Sequence, residues 1–594
     1  MRHFITTVAG VFVGLGLFCI AAPILIVALV LIAARPAPVP DRSVLLLDLR
    51  DGVTDQDRRG PFSAFQGKSL SVIGIEATLR RAEDDPRVKG MFVRLPEGGI
   101  APAAADELRL AFNAFRAAGK PILAHSQGLY ADGTVISTYE LGAASGNLWM
   151  QPASSFQVTG LARQDVFFKR LFDQHGVVAD YQQRYEYKTA INPYLYSDYT
   201  PAHRLSELSW MQSVYDTALT AVSVDRRMAA GQVRTLIEAG PYGAEDAKAK
   251  GLIDAVGQVD EAQADSLARA GDGARFIDFA DYAARARPRA ATPWGAAPQI
   301  AVISVEGDIM TGQDGGSSPF GGGQTIRSDD VARAFHAAID DKAVRAIVFR
   351  ISSPGGSDTA SEQILAAVRD AKAAGKPVVV SMGTYGASGG YWIASQASQI
   401  IAEPSTLTGS IGVFGGKFAL GQALGRFGVD MRGLKVGGDF ADALASQSAM
   451  TPSQKAAFSS WMDHIYGGFV ARVANGRGLS PDRVNTIAKG RVWTGAQAVS
   501  LGLVDGLGGF YQAVDRAKAL AGVKGAAQLT DFDTNVSPFA ALGRLFSSGV
   551  DSARALSSLA AMADDRQTRA IMAEVGDARL RAQGATVLAP RLAD

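Results

Sequence analysis

The stretch FHAAIDDKAVRAIVFRI (335–351) joins an amphipathic segment, a short acidic turn and a run of β-branched and aromatic residues. LRRAEDDPRVKGMFVRL (79–95) repeats it 256 positions earlier. The correspondence continues with AAGKPIL (117–123) against AAGKPVV (373–379) at the same offset, and with Pro152 against Pro404 and Gly176-Val177 against Gly428-Val429 at 252. Trp210-Met211 then matches Trp461-Met462, Tyr215 matches Tyr466, and GLID (251–254) matches GLVD (502–505), all at 251. An offset that drifts so little over so long a span marks a duplicated fold. The copies are placed at 43–285 and 298–525, joined by RARPRAATPWGAAP (285–298).

Within the second copy, QIAVISVEG (299–307), VRAIVFRI (344–351) and KPVVVSMG (376–383) have the β-branched content of buried strands. SDDVARAFHAAIDD (328–341) and SEQILAAVRDAKAAG (361–375) between them have helical spacing. Strands alternating with helices of this length predict an α/β fold with a mostly parallel sheet covered on both faces.

The chain has 594 residues, 47% apolar and 20% charged, which excludes a disordered or fibrous chain and exceeds what one core supports. Lys+Arg at 59 against Asp+Glu at 58 leaves a net charge of +1, and with it no general electrostatic case for binding nucleic acid. The lone cysteine, Cys19, excludes an intramolecular disulfide and any Cys-based zinc or iron–sulfur site. Phe4–Ala34 contains no charged residue. About 20 such residues suffice to cross a bilayer, whereas the apolar region of a cleaved signal peptide is about 7–15 residues. A transmembrane anchor over 4–34 is therefore expected, followed by a stiff Pro-rich linker at 35–42. The Ala/Arg/Asp-rich tail, 540–594, has no counterpart in the first copy.

GTYGASGGYWIAS (383–395) follows a predicted strand and contains Gly386-Ala387-Ser388-Gly389-Gly390, a G-x-S-x-G elbow. Such a turn lifts the serine to the start of a helix, where backbone N–H groups can stabilise an oxyanion. The plainer alternative is a Gly-rich turn with a capping serine. A second turn, Ser352-Ser353-Pro354-Gly355-Gly356-Ser357, follows the preceding strand, so both belong on the same rim of a parallel sheet. The two turns are expected to face each other, with Ser388 as nucleophile and the Gly355 and Gly356 amides as an oxyanion hole.

A serine nucleophile needs a base. Of the six histidines only His464 follows Ser388, within WMDHIYGGF, where a surface or packing role is expected. The other option is a desolvated lysine, because burial lowers an amine's pKa. Lys188 lies in YEYKTAINPY (185–194), flanked by Tyr185, Tyr187 and Tyr194. Its counterpart in the second copy is Phe440, and the counterpart of Ser388 falls near Ile136. One copy thus holds the lysine without the turn, and the other the turn without the lysine, as expected of one site shared by both.

SPGGS (353–357), GASGGYWIA (386–394), TLTGSIGVFGG (406–416) and YKTAINPY (187–194), in a duplicated chain behind an apolar segment, resemble the signal peptide peptidase A (protease IV) family in its long form. The resemblance implies two tandem copies of a crotonase/Clp-protease-like fold and a Ser/Lys dyad that hydrolyses peptide bonds without metal or cofactor. By position, Ser388 would be the nucleophile, Lys188 the general base, Ser410 a hydrogen-bond partner of the lysine, and Gly355, Gly356 and Gly389 the oxyanion hole. The implied substrates are cleaved signal peptides and other apolar peptides. The implied setting is the bacterial inner membrane with the catalytic part in the periplasm, assembled as a homotetramer. The tail beyond about 530 falls outside the match. Rival readings are an α/β-hydrolase esterase using Ser388, His464 and Asp430 or Asp439, a crotonase-like acyl-CoA enzyme, and a non-enzymatic membrane scaffold.

Overall fold

The computed structural model describes residues 39–56, 70–285, 298–313, 325–532 and 587–588. The expected anchor at 4–34 lies outside them, as does all of the tail from 540 except 587–588. Among the described residues no helix is long and apolar enough to cross a membrane.

The first copy contains β1 (Ser43–Asp48), β2 (Val88–Arg94), β3 (Ile122–Ser126), β4 (Leu148–Met150), β5 (Val178–Arg184), β6 (Ala255–Val256) and β7 (Arg275–Asp278). All but β5 form one parallel sheet in the order β7-β1-β2-β3-β4-β6. The second copy runs β8 (Gln299–Glu306), β9 (Asp308–Met310), β10 (Thr325–Arg327), β11 (Val344–Ser353), β12 (Gly355–Gly356), β13 (Val378–Ala387), β14 (Gln399–Ala402), β15 (Leu407–Gly409), β16 (Val413–Ala419), β17 (Val492–Thr494), β18 (Gly506–Leu507) and β19 (Gln528–Asp531). Its pairings β19-β8-β11-β13-β14-β18 repeat the first order strand for strand. The sheet therefore continues past residue 525, to Asp531. At its far end β13 pairs with β15, which pairs in turn with antiparallel β17. The chain holds one fold twice.

The helices follow the same plan. In the first copy they include α1 (Val72–Asp84), α2 (Pro102–Ala117), α3 (Val135–Ala144) and α4 (Pro201–Arg226). Their counterparts are α5 (Ser328–Asp340), α6 (Asp358–Ala373), α7 (Gly389–Ala394) and α8 (Pro452–Arg477), with α9 (Phe510–Leu520) beyond. Ile303, Phe349, Ile351 and Val380 meet Ile364 and Val368 of α6 on one sheet face, and Val302, Val348 and Val379 meet Phe510 and Val514 of α9 on the other. Each such fully buried side chain contributes roughly 1.5–3 kcal/mol over its exposed state. The apolar alternation along β8 and β11 is thus spent on two cores, as expected of a doubly covered sheet.

Several contacts join the copies, a shared ribbon and a buried ion pair among them. β5 leaves its own sheet and pairs antiparallel with β16, from Val413 opposite Arg184 to Ala419 opposite Val178. Elsewhere, Arg350 on β11 is fully buried and reaches into the first copy. Its guanidinium pairs with Asp55 and, at 2.7 Å, with Glu107 of α2, and donates to Ser381 Oγ at 2.9 Å. Glu107 also accepts from the Phe510 N–H at 2.6 Å, and Asp106 from the Ser405 N–H at 2.7 Å. Burial, with neighbouring carboxylates, pushes the carboxyls of Glu76 and Glu403 well above their ordinary range. The same causes raise Glu306 to about 8.

Candidate active site

Strand β13 ends at Ala387, and Ser388 turns the chain into α7 with φ +54° and ψ −117°. A non-glycine residue there stores about 1–3 kcal/mol of strain, held by its surroundings. The Ser388 N–H donates to the Gly409 carbonyl at 2.8 Å, and its carbonyl accepts from Trp392 N–H at 2.8 Å. A Cβ on Gly390 would lie 2.5 Å from the Ser353 carbonyl oxygen, so only glycine lets α7 start this close to the other turn. The two Gly-rich turns do face each other: the Cβ position of Gly389 is 3.1 Å from Gly356 N and 3.2 Å from Gly355 Cα. The Gly355 N–H is engaged within its own turn, donating to Ser353 Oγ at 3.2 Å.

The cross-copy ribbon delivers the amine. Beyond β5 the Tyr187 N–H donates to the Lys489 carbonyl at 3.1 Å, and Lys188 N–H to the Tyr185 carbonyl at 3.1 Å. Lys188 is completely buried, and its Nζ lies 2.7 Å from Ser388 Oγ. It donates to the Ser410 carbonyl at 2.9 Å and to Ser410 Oγ at 3.0 Å. Ser410 is itself buried with φ +49°, and its N–H donates to the Arg491 carbonyl at 2.8 Å. Burial holds the Lys188 amine well below its ordinary pKa. A neutral amine has two N–H donors and one lone pair. The donors match the two Ser410 oxygens, and the lone pair is left for the Ser388 hydroxyl. An amine so placed can take that proton.

Tyr185 and Tyr187, which made the lysine's sequence setting look unusual, lie elsewhere. Tyr185 is exposed and packs edge-on against Tyr466, and Tyr187 lies under Arg491. Tyr194 is buried among Phe168, Phe172 and Phe418. His464 is exposed on α8 and lines a shallow cavity with Trp392 and Glu362. Asp430 and Asp439 are exposed and pair with Arg432 and Lys435. Phe440 is exposed, and Ile136 is buried in α3.

Sequence reading missed Gly490. With φ +86°, its Cβ position falls 2.6 Å from Lys188 Cβ, so a side chain there would displace the lysine backbone. Gly490→Ala is expected to lower kcat by about 10²-fold, the cost of roughly 1 Å of misplacement, with KM little changed. Steady-state kinetics on a fluorogenic peptide check this, and an unchanged kcat would mean that the lysine tolerates displacement.

The sequence matches the family model "Peptidase family S49" over 114–271 and again over 370–524. It is 32% identical over 495 residues to Protease 4 of Haemophilus influenzae, covering 79% of this chain and 77% of that one. It is 28% identical over 491 residues to the chloroplastic serine protease SPPA of Arabidopsis thaliana, covering 81% and 69%. Among solved structures, a ClpP1 chain from Listeria monocytogenes aligns over 36% of this chain and 94% of its own, with 13% identity and a TM-score of 0.24, too slight a likeness to argue from.

Proposed function

The chain belongs to peptidase family S49, a serine peptidase family, and from that premise we propose that it is a membrane-anchored endopeptidase with a Ser/Lys dyad. The observation that carries the proposal is the 2.7 Å approach of a fully buried Lys188 Nζ to Ser388 Oγ. In this reading neutral Lys188 takes the Ser388 proton as Oγ attacks the scissile carbonyl, then returns it to the leaving amine. Water hydrolyses the acyl-enzyme by the same exchange run in reverse. Ser410 orients the amine through its carbonyl and hydroxyl. The Gly356 and Gly389 amides receive the oxyanion, and Gly355, tied to Ser353, shapes the turn that presents Gly356.

The proposed substrates are signal peptides released into the membrane and similar apolar peptides. A helix formed by the uncharged 4–34 segment would keep the enzyme where such fragments lie. The finer fold assignment, to the crotonase/Clp-protease type, is proposed on the paired βα turns that meet over the nucleophile. A homotetramer and a periplasmic catalytic part complete the proposal and rest on the resemblance of the motifs.

Treatment with an acylating active-site probe, followed by peptide mapping, is expected to place a single adduct on Ser388. His464→Ala is expected to leave labelling unchanged. An adduct on another serine, or labelling that depends on His464, would overturn the dyad.

A further inference from the structure

Between the two copies lies a cavity of about 950 Å³, within the roughly 300–1,000 Å³ range of small-molecule sites, which favour domain interfaces. Asp106 and Arg109 of α2, Glu140 of α3 and Thr217 of α4 line it from the first copy, and Glu403 and Gln512 from the second. Glu403 is 1% exposed, and its Oε1 has no hydrogen-bond partner. That oxygen lies 2.7 Å from the Cβ position of Gly509, against the turn whose Gly508 also lines the cavity. A buried acceptor left unpaired is rare in a native fold and marks a missing partner. Asp106 and Glu140 share a hydrogen bond with each other. The guanidiniums nearby are already committed: Arg109 pairs with Asp225 at 2.6 Å, and Arg350 with Asp55 and Glu107. Among the described residues no group of side chains converges to hold a metal ion, so the partner these acceptors call for is a larger donor. We infer that this cavity binds a small organic cation through an ammonium or guanidinium group, with Glu403 and the Asp106–Glu140 pair as its acceptors.

The acceptors also tie binding to pH. Burial pushes Asp106 up to about 6, and Glu140 and Glu403 well above the ordinary carboxylate range. Arg109 and Asp225 face the Asp106–Glu140 pair, Glu76, Glu107 and Arg350 surround Glu403, and Asp216 on the lining pairs with Arg234. An entering cation favours the ionised carboxyls, so it displaces protons that the empty cavity holds. Binding therefore releases protons and strengthens as pH rises. Because the lining comes from both copies, an occupant also holds together the halves that supply Lys188 and Ser388.

Agmatine, which carries both an ammonium and a guanidinium, is titrated into the full-length chain by calorimetry at pH 6 and pH 8, with n-butanol as the uncharged control. One saturable event per chain is expected at pH 8 and a weaker one at pH 6. Its apparent heat should differ between buffers of different ionisation enthalpy, as protons are released. Glu403→Gln is expected to weaken binding by about 10-fold or more, the effect of losing one hydrogen bond to a charged group. Thr217→Trp, which fills the cavity from α4 and leaves all three carboxyls in place, is expected to abolish it. Agmatine should also raise the thermal-unfolding midpoint of the wild type but not of Thr217→Trp, and the midpoints without agmatine report folding of each variant. Absence of saturable binding at pH 8 would overturn the proposal. So would binding that both variants retain, equal affinity at the two pH values, or butanol binding as tightly as agmatine.

Discussion

Lys188→Met is expected to lower kcat/KM by about 10⁴-fold or more, as loss of one member of a catalytic unit does elsewhere. Ser388→Ala should be equally severe, and the double variant little worse than either, because the two act as one unit. The wild-type rate should rise with pH through the depressed pKa of Lys188, since only the neutral amine accepts a proton. Stability has its own signature. Between that depressed pKa and the ordinary value of 10.5 the unfolded chain binds a proton that the folded chain does not. The lysine's unfavourable contribution therefore shrinks as pH rises toward 10.5. Methionine removes that contribution, so the variant should gain on the wild type in thermal unfolding as pH is lowered toward neutrality. A Lys188→Met protein that still cleaves a fluorogenic peptide at more than a hundredth of the wild-type rate would exclude Lys188 as base.

Arg350→Met is expected to cost about 3–5 kcal/mol of stability at neutral pH, the usual penalty when a buried pair loses one partner. The guanidinium is the cation facing Asp55 and Glu107, with Glu76, Glu306 and Glu403 close behind. Removing it leaves carboxylates that must take up protons or pull water between the copies. The deficit should therefore narrow as pH falls and protons become cheaper to bind. The wild type already leans this way: the stability tied to protonated Glu306 is fully present below about 4.5 and lost as pH rises through about 8. Arg350→Lys should recover only part of the loss, since a point charge replaces a two-pronged donor. Thermal unfolding at pH 6 and pH 8.5 checks both statements. A variant as stable as the wild type at both pH values would show that the copies do not depend on this pair.

Much of this architecture is legible in the sequence, and what is not has physical reasons. The repeat and the period of VRAIVFRI were enough to expect a doubled parallel sheet, because buried strands and their covering helices leave a local apolar signature. Boundaries shifted where side chains cap or extend an element. Helix α6 begins at Asp358 rather than 361 because Ser357 Oγ accepts from the Ala360 N–H. Strand β13 runs on to Ala387 because β15 continues its ladder past β14. The Ser388 turn is local and could be read directly, and Lys188 became visible through the repeat.

The β5–β16 ribbon was invisible: an antiparallel pairing between segments this far apart has no period to betray it. Arg350 looked, like Arg345, to be a polar position in an apolar run, and its partners Asp55 and Glu107 belong to the other copy. The one signal was a second arginine, after Arg345 near the start, deep inside a strand otherwise reading as buried on both faces. Gly490 gave no signal, because its role depends on a backbone that reaches it only in three dimensions.

The separation of the two reactive side chains also fixes when activity can begin. Ser388 lies 200 positions after Lys188. At about 5–20 residues per second, a ribosome needs roughly 10–40 seconds to travel from one to the other. Through that interval the emerging polypeptide carries an amine with no hydroxyl to activate. On the proposed dyad, a half-made copy of the chain holds the base without its nucleophile and cannot cleave.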